Sequence, residues 1–259
     1  MSTQTAGGGV TSFVASMGSI VLLGGEVLRS LFTTRLHWNE FIKQLHFVGW
    51  KSQVIVLTTG ASTGMVFCAQ TFFQFHKMKM DNATLTVVGV AMITELGPVL
   101  AGLMVAGRVG AAISAELGTM RVTEQIDALR TMATHPVDYL VVPRFLATVI
   151  AMPLLTVLAW GVGIAAAYLL SITVLGLEGS YGLRHLYFYV DTQDVLLGCI
   201  KALFFGGIIA LVGCYRGLSC GEGAEGVGRA TNEAVVQSCI AILVSNFFLT
   251  LLLRGILYP

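Results

Sequence analysis

FLATVIAMPLLTVLAWGVGIAAAYLLSITVLGL, residues 145–177, runs for thirty-three residues without a charged side chain. A helix crosses a bilayer core about 30 Å thick with roughly 20 apolar residues. The stretch therefore exceeds one span, and tilt or a bend near Pro153 would accommodate the excess. The rest of the chain has the same character. Only 11 % of the 259 residues are charged and the mean hydropathy is +0.81, whereas soluble domains carry about 25 % charged residues. Fifteen Lys and Arg against fourteen Asp and Glu leave a net charge of +1. Such a composition excludes a disordered chain, a collagen-like chain and a nucleic-acid-binding domain with a basic surface. It predicts an all-α membrane protein.

Four further stretches are long and apolar enough to span: residues 54–75, 83–106, 195–215 and 234–253. The first is interrupted only by small or weakly polar residues such as Thr58 and Thr59. The second holds a single charge, Glu95; the third of these four holds Lys201, and the last holds none. Residues 1–25 carry no charged side chain, and their apolar part is glycine-broken and short of a span. No basic segment precedes it, as a secretory signal would require. Residues 26–51 interleave Trp38, Phe41, Ile42 and Trp50 with Arg29, Arg35, Lys43 and Lys51, the pattern of a helix lying in the membrane interface. The expected organisation is an N-terminal interfacial elbow over residues 1–53, then five spans over residues 54–259.

Basic residues orient the bundle. With the N-terminus inside, the cytoplasmic segments hold Arg29, Arg35, Lys43, Lys51, Arg108, Arg121, Arg130, Arg144, Arg216 and Arg229. The opposite side holds only Lys77, Lys79, Arg184 and Arg254. The expectation is a cytoplasmic N-terminus and a periplasmic C-terminus. The five cysteines, Cys68, Cys199, Cys214, Cys220 and Cys239, form no CxxC pair and no zinc-ligand spacing. Four of them lie in or beside apolar runs, where a free cysteine behaves as a small buried hydrophobe, and the five read as structural thiols.

The longest polar connection, residues 107–144, contains a short amphipathic helix. Thr123 is its expected N-cap, Ile126, Leu129 and Met132 form its apolar face, and His135-Pro136 stops it. By pattern alone the helix is either a connector resting on the headgroups or a lever for a cytosolic subunit.

The strings TELGPVLAGL (94–103), AGRVGAA (106–112), AELGTM (115–120) and VTEQIDAL (122–129), followed by Pro136 and Pro143-Arg144, resemble the MlaE/YrbE permease family. So does GEGAEGVGRATNEAVV (221–236). The resemblance extends from about residue 54 to the C-terminus. It implies an interfacial helix and five spans in a homodimeric permease of an ABC lipid transporter. It also implies a cytosolic ATPase that binds the ATP and magnesium, a periplasmic Mce-domain protein and a small cytosolic STAS-domain protein. The cargo it implies is phospholipid, moved at a bacterial inner membrane to maintain outer-membrane lipid asymmetry. By resemblance, residues 119–132 are the coupling helix, with Thr123, Glu124, Ile126, Asp127 and Leu129 facing the ATPase.

Charges at membrane depth are costly unless they meet a partner or a cavity. Glu95 lies near the middle of its span, and Pro98 has no N–H, so the Thr94 carbonyl one turn earlier loses its helical donor. Glu95 is therefore either a clasp between helices or a polar point in a cavity; the resemblance implies a lipid pocket. Lys201 either snorkels outward or points inward at a lipid phosphate. Asn246 stands where some family members carry an acid, so the resemblance implies a charge network one acid short. Lipid-binding candidates are thus Glu95, Thr94, Lys201 and Asn246.

The glycines of 221–228 lack the Lys-Ser or Lys-Thr pair of a P-loop. They read as a turn opening the last span, with Thr231 or Asn232 as its cap. The chain offers no nucleotide or metal site of its own and is not an enzyme by these motifs. An ion-coupled secondary transporter built on Glu95 is the alternative, but the spans show no repeat or paired broken helices. Import of another lipid, such as a sterol, is a second alternative.

Overall fold

The computed structural model describes residues 8–33, 38–132, 135–177 and 179–257, and every regular element among them is helical. Arg35, one of the basic residues used to orient the chain, lies outside the described residues. Helix α1 spans Gly8–Thr33 and α2 spans Trp38–Lys77. A long helical rod follows from Asp81 to Val122. It comprises a 3₁₀ turn (Asp81–Ala83), α3 (Thr84–Ala91), a π-helical turn (Met92–Leu96), α4 (Gly97–Val105), a second π turn (Ala106–Gly110) and α5 (Ala111–Val122). Next come α6 (Gln125–Thr131), a π turn (Val137–Val141) leading into α7 (Val142–Thr173), α8 (Gly179–Tyr189), α9 (Thr192–Leu218) and α10 (Gly223–Leu257).

Five rods are long and apolar enough to cross a membrane: Trp38–Lys77, Asp81–Val122, Val137–Thr173, Thr192–Leu218 and Gly223–Leu257. Four of the five sequence-derived spans fall inside them. The remaining one, residues 145–177, outruns its rod, because the helix ends at Thr173 and residues 174–177 leave it in a turn with Gly176 at φ +66°. The residue 53/54 division falls inside α2, which continues through it without a break. At the start of the third rod, Val142 to Arg144, assigned to a loop from their polarity, are helical and buried. Arg144 is tolerated there because it donates to the Leu140 carbonyl at 2.6 Å and pairs with Glu116 at 3.0 Å. α7 passes through Pro153 without ending.

Small residues set the packing. Along α2, Gly60, Gly64 and Cys68 recur every four residues and meet Ala159, Gly163 and Ala167 of α7. A Cβ on Gly60 would stand 2.5 Å from the Ala159 carbonyl oxygen, so the two backbones touch. Lipid is as apolar as leucine, and close backbone approach is what drives such contacts inside a membrane. α9 is central: Phe205 and Ile209 are fully buried among Ala101, Val105, Met152 and Ile242 of its neighbours. α1 joins this core through Val27 and is tied to the end of the loop by Ser30, which donates to Asp138 at 2.5 Å.

Two expected caps are corrected. Thr231 does not cap the last helix: α10 starts at Gly223, whose φ of +72° suits glycine, and the Thr231 hydroxyl donates to the Val227 carbonyl at 2.8 Å within the helix. Asn232 lies deeper still in α10. Thr123 closes α5 rather than opening α6, because its hydroxyl and its N–H both donate to the Thr119 carbonyl, at 2.8 and 3.0 Å. Glu124, with φ 57°, turns the chain between the two helices.

Candidate functional site

The π turn at Met92–Leu96 arises next to Pro98, where the backbone ladder is already incomplete. The carbonyl that Pro98 leaves free, that of Thr94, accepts from Lys201 Nζ at 3.1 Å. α9 reaches the turn because residue 198 is glycine; a Cβ there would collide with the Ile93 carbonyl oxygen. One turn further along α9, Lys201 is fully buried. Its other two N–H groups go to Glu95 Oε1 at 2.7 Å and Thr250 Oγ1 at 2.7 Å. All three ammonium protons are thereby used, and the pair lies within one chain.

α10 completes the cluster. Asn246 Nδ2 donates to Glu95 Oε2 at 3.0 Å. Thr250, one turn later, accepts from Lys201 and shares its single proton between Glu95 Oε1 at 3.1 Å and the Asn246 carbonyl at 2.8 Å. The cluster thus pins the π turn, α9 and α10 together. It is not sealed: the Glu95 side chain is 32 % exposed, while Asn246 Oδ1 is buried without a hydrogen-bond partner. The partly exposed charged member of the cluster is therefore Glu95, whose carboxylate is an acceptor, whereas Lys201 is fully buried.

The structure brings Glu95, Lys201 and Asn246 together as expected candidates, with two changes of role. The Lys201 ammonium neither snorkels nor offers a free proton to a phosphate. Thr94 contributes its carbonyl alone, because its hydroxyl donates to Val90 O at 2.9 Å and the residue is buried. The absent acid at position 246 does not break the network, since an amide donor suits the carboxylate. Thr250 was missed: a threonine in an apolar run carries no signal by itself, but its i,i+4 spacing from Asn246 does.

The loop candidates divide into two faces. Ile126 is buried in the core and Leu129 packs against that core, so the apolar face of α6 is the permease's own anchor. Met132 is 73 % exposed, contrary to a single apolar face. Thr123, Glu124 and Asp127 are exposed. Asp127 bridges Arg121 and Arg130, at 3.3 Å each.

Five long apolar rods around a buried ion pair make this a multi-pass membrane protein. The family described as Permease MlaE matches residues 41–252, and the chain belongs to it. A probable ABC transporter permease protein of Rickettsia felis is 43 % identical over 238 residues, 92 % of each chain. One from Synechocystis is 41 % identical over 231 residues, covering 89 % of this chain and 88 % of the relative. The chloroplastic protein TRIGALACTOSYLDIACYLGLYCEROL 1 of Arabidopsis thaliana is 35 % identical over 232 residues, 90 % of this chain and 66 % of its own. The protein is an ABC transporter permease of the MlaE family.

Proposed function

We propose that this permease moves phospholipid between a bacterial inner membrane and a periplasmic Mce-domain protein, maintaining outer-membrane lipid asymmetry. It works as a homodimer, N-termini in the cytoplasm, driven by a cytosolic ATPase that binds ATP and magnesium and assisted by a small STAS-domain protein. The carrying observation is the part-open Glu95 cluster on α10, a helix that exposes Val236, Ile240, Leu243, Phe247 and Leu251. An apolar face beside one partly exposed acidic side chain suits acyl chains with a polar headgroup, and a second copy on that face would enclose them. The name of the chloroplastic relative, a diacylglycerol lipid, supports the same class of cargo. The exposed residues of the α5–α6 turn, Thr123, Glu124 and Asp127, present the surface for the ATPase, held in place by Ile126 and Leu129.

Mass spectrometry of lipid extracted from the purified transporter tests the reading. Phospholipid bound to the wild type and depleted in Glu95→Gln is the expected result. Equal phospholipid in both would make Glu95 a helix clasp and overturn the pocket.

A further inference from the structure

A second polar site lies further along the Asp81–Val122 rod from Glu95, where α2 passes the second π turn and the start of α5. A groove of about 720 Å³ is lined by Ile42, Lys43, Phe47 and Lys51 of α2 and by Ala112 and Glu116 of α5. Two cations converge on one ring there: Lys51 Nζ and the Arg108 guanidinium each stand 5.4 Å from the centroid of Phe47. Arg108 is half-buried and fixed by donating to Ser52 Oγ at 2.6 Å; Ser52 is itself buried. Among the described residues no carboxylate pairs with either cation. The acids nearby are already engaged, Glu116 with Arg144 at 3.0 Å and Glu40 with Lys43 at 2.7 Å. Two like charges gathered at one ring, neither paired with a described carboxylate, call for an anion from outside the chain, and a guanidinium is well suited to phosphate oxygens.

The surroundings identify the source of that anion. Trp38, Ile42, His46 and Trp50 recur every four residues on α2, beside the Lys43–Phe47–Lys51 stripe. Trp38, Ile42 and Trp50 are 65 %, 58 % and 66 % exposed. Exposed tryptophans beside lysines mark the headgroup level of a bilayer. We propose that this groove binds the phosphate of an anionic phospholipid, with Arg108 and Lys51 as its cations and the Trp50–Ile42 stripe against its acyl chains. The site is separate from the central cluster, and its lipid is a bound membrane component rather than the cargo held at Glu95.

The test uses the whole transporter, permease with its ATPase, exchanged into mixed phosphatidylcholine and phosphatidylglycerol and examined by native mass spectrometry. The wild type is expected to retain phosphatidylglycerol in preference to phosphatidylcholine. Lys51→Glu, at an exposed position that leaves the fold intact, should lower that retention at least about fivefold, the effect of one cation near a membrane surface. Arg108→Lys should lower it too, because an ammonium cannot reproduce the fork. Equal retention of the two lipids by the wild type, or unchanged phosphatidylglycerol in Lys51→Glu, would overturn the site. Phosphatidylglycerol kept in Lys51→Glu and lost in Glu95→Gln would place it at the central carboxylate instead. Displacement by inorganic phosphate would assign the groove to a soluble anion and overturn the lipid.

Discussion

α9 and α10 have nearly the same hydropathy, 2.4 and 2.1, yet 50 % of the apolar window of α9 is buried and only 11 % of that of α10. The contrast lies in side-chain size and placement. α9 carries Gly198, Ala202, Gly206, Ala210, Gly213 and Gly217 on its buried faces, so neighbouring backbones can press against it. α10 buries a narrow stripe, Ala230, Ala234, Ser238 and Ile242, and turns Phe247, Phe248, Leu251 and Leu252 outward. In water, apolar surface alone separates core from periphery. In lipid it does not, and small residues take over that role.

The comparison breaks most sharply where the two helices share the ion pair. Glu95→Leu should leave the sealed Lys201 ammonium without its counter-charge and cost about 3–5 kcal/mol, read as a lowered thermal unfolding midpoint of the purified permease. Lys201→Met should cost less, because Glu95 is partly open. The double variant should recover most of the loss; no recovery would mean that the pair is not the source of the effect.

Next in size is the packing of small residues. Gly206→Leu on α9 is expected to cost about 1–3 kcal/mol through overpacking against the Thr148 carbonyl. Phe247→Ala on α10 should change the unfolding of the single chain by no more than about 0.5 kcal/mol, while lowering the dimer fraction seen by crosslinking. An unchanged dimer fraction would remove α10 from the interface.

Smaller effects separate the two faces of α6. Ile126→Asp buries a charge and should destabilise the permease itself. Asp127→Ala removes only exposed ion pairs worth about 0–1 kcal/mol and should act on ATPase co-purification alone. Loss of the fold in Asp127→Ala would contradict this division. The smallest effect concerns Cys220 between α9 and α10, where burial pushes the thiol above its usual range. Less thiolate is then present at neutral pH, so maleimide labelling should be slower than for a free thiol and should rise as pH increases. Labelling at the free-thiol rate at pH 7 would show an open site.

Much of the site was legible because membrane depth is unforgiving. Glu95 and Lys201 stood out as the charges within two apolar runs, and Pro98 pointed to the free Thr94 carbonyl that Lys201 in fact occupies. The α6 face was misjudged for the converse reason. An amphipathic pattern shows that Ile126 and Leu129 will be covered, but not by which surface, and the permease's own core covers them. Thr123 and Thr231 had the right chemistry for caps, yet each hydroxyl found a carbonyl in its own helix.

What the sequence alone determined is what a bilayer enforces residue by residue: five apolar rods, scarce internal charge and a polar connection between the second and third spans. The tertiary structure decided which apolar helix is central, that Lys201 is sealed rather than snorkelled, that Thr250 joins the cluster, and that Phe47 gathers two cations paired with no described carboxylate. Those outcomes depend on how closely two backbones approach. That distance is set by pairs of residues far apart in the chain, such as Gly198 against Ile93 and Gly60 against Ala159.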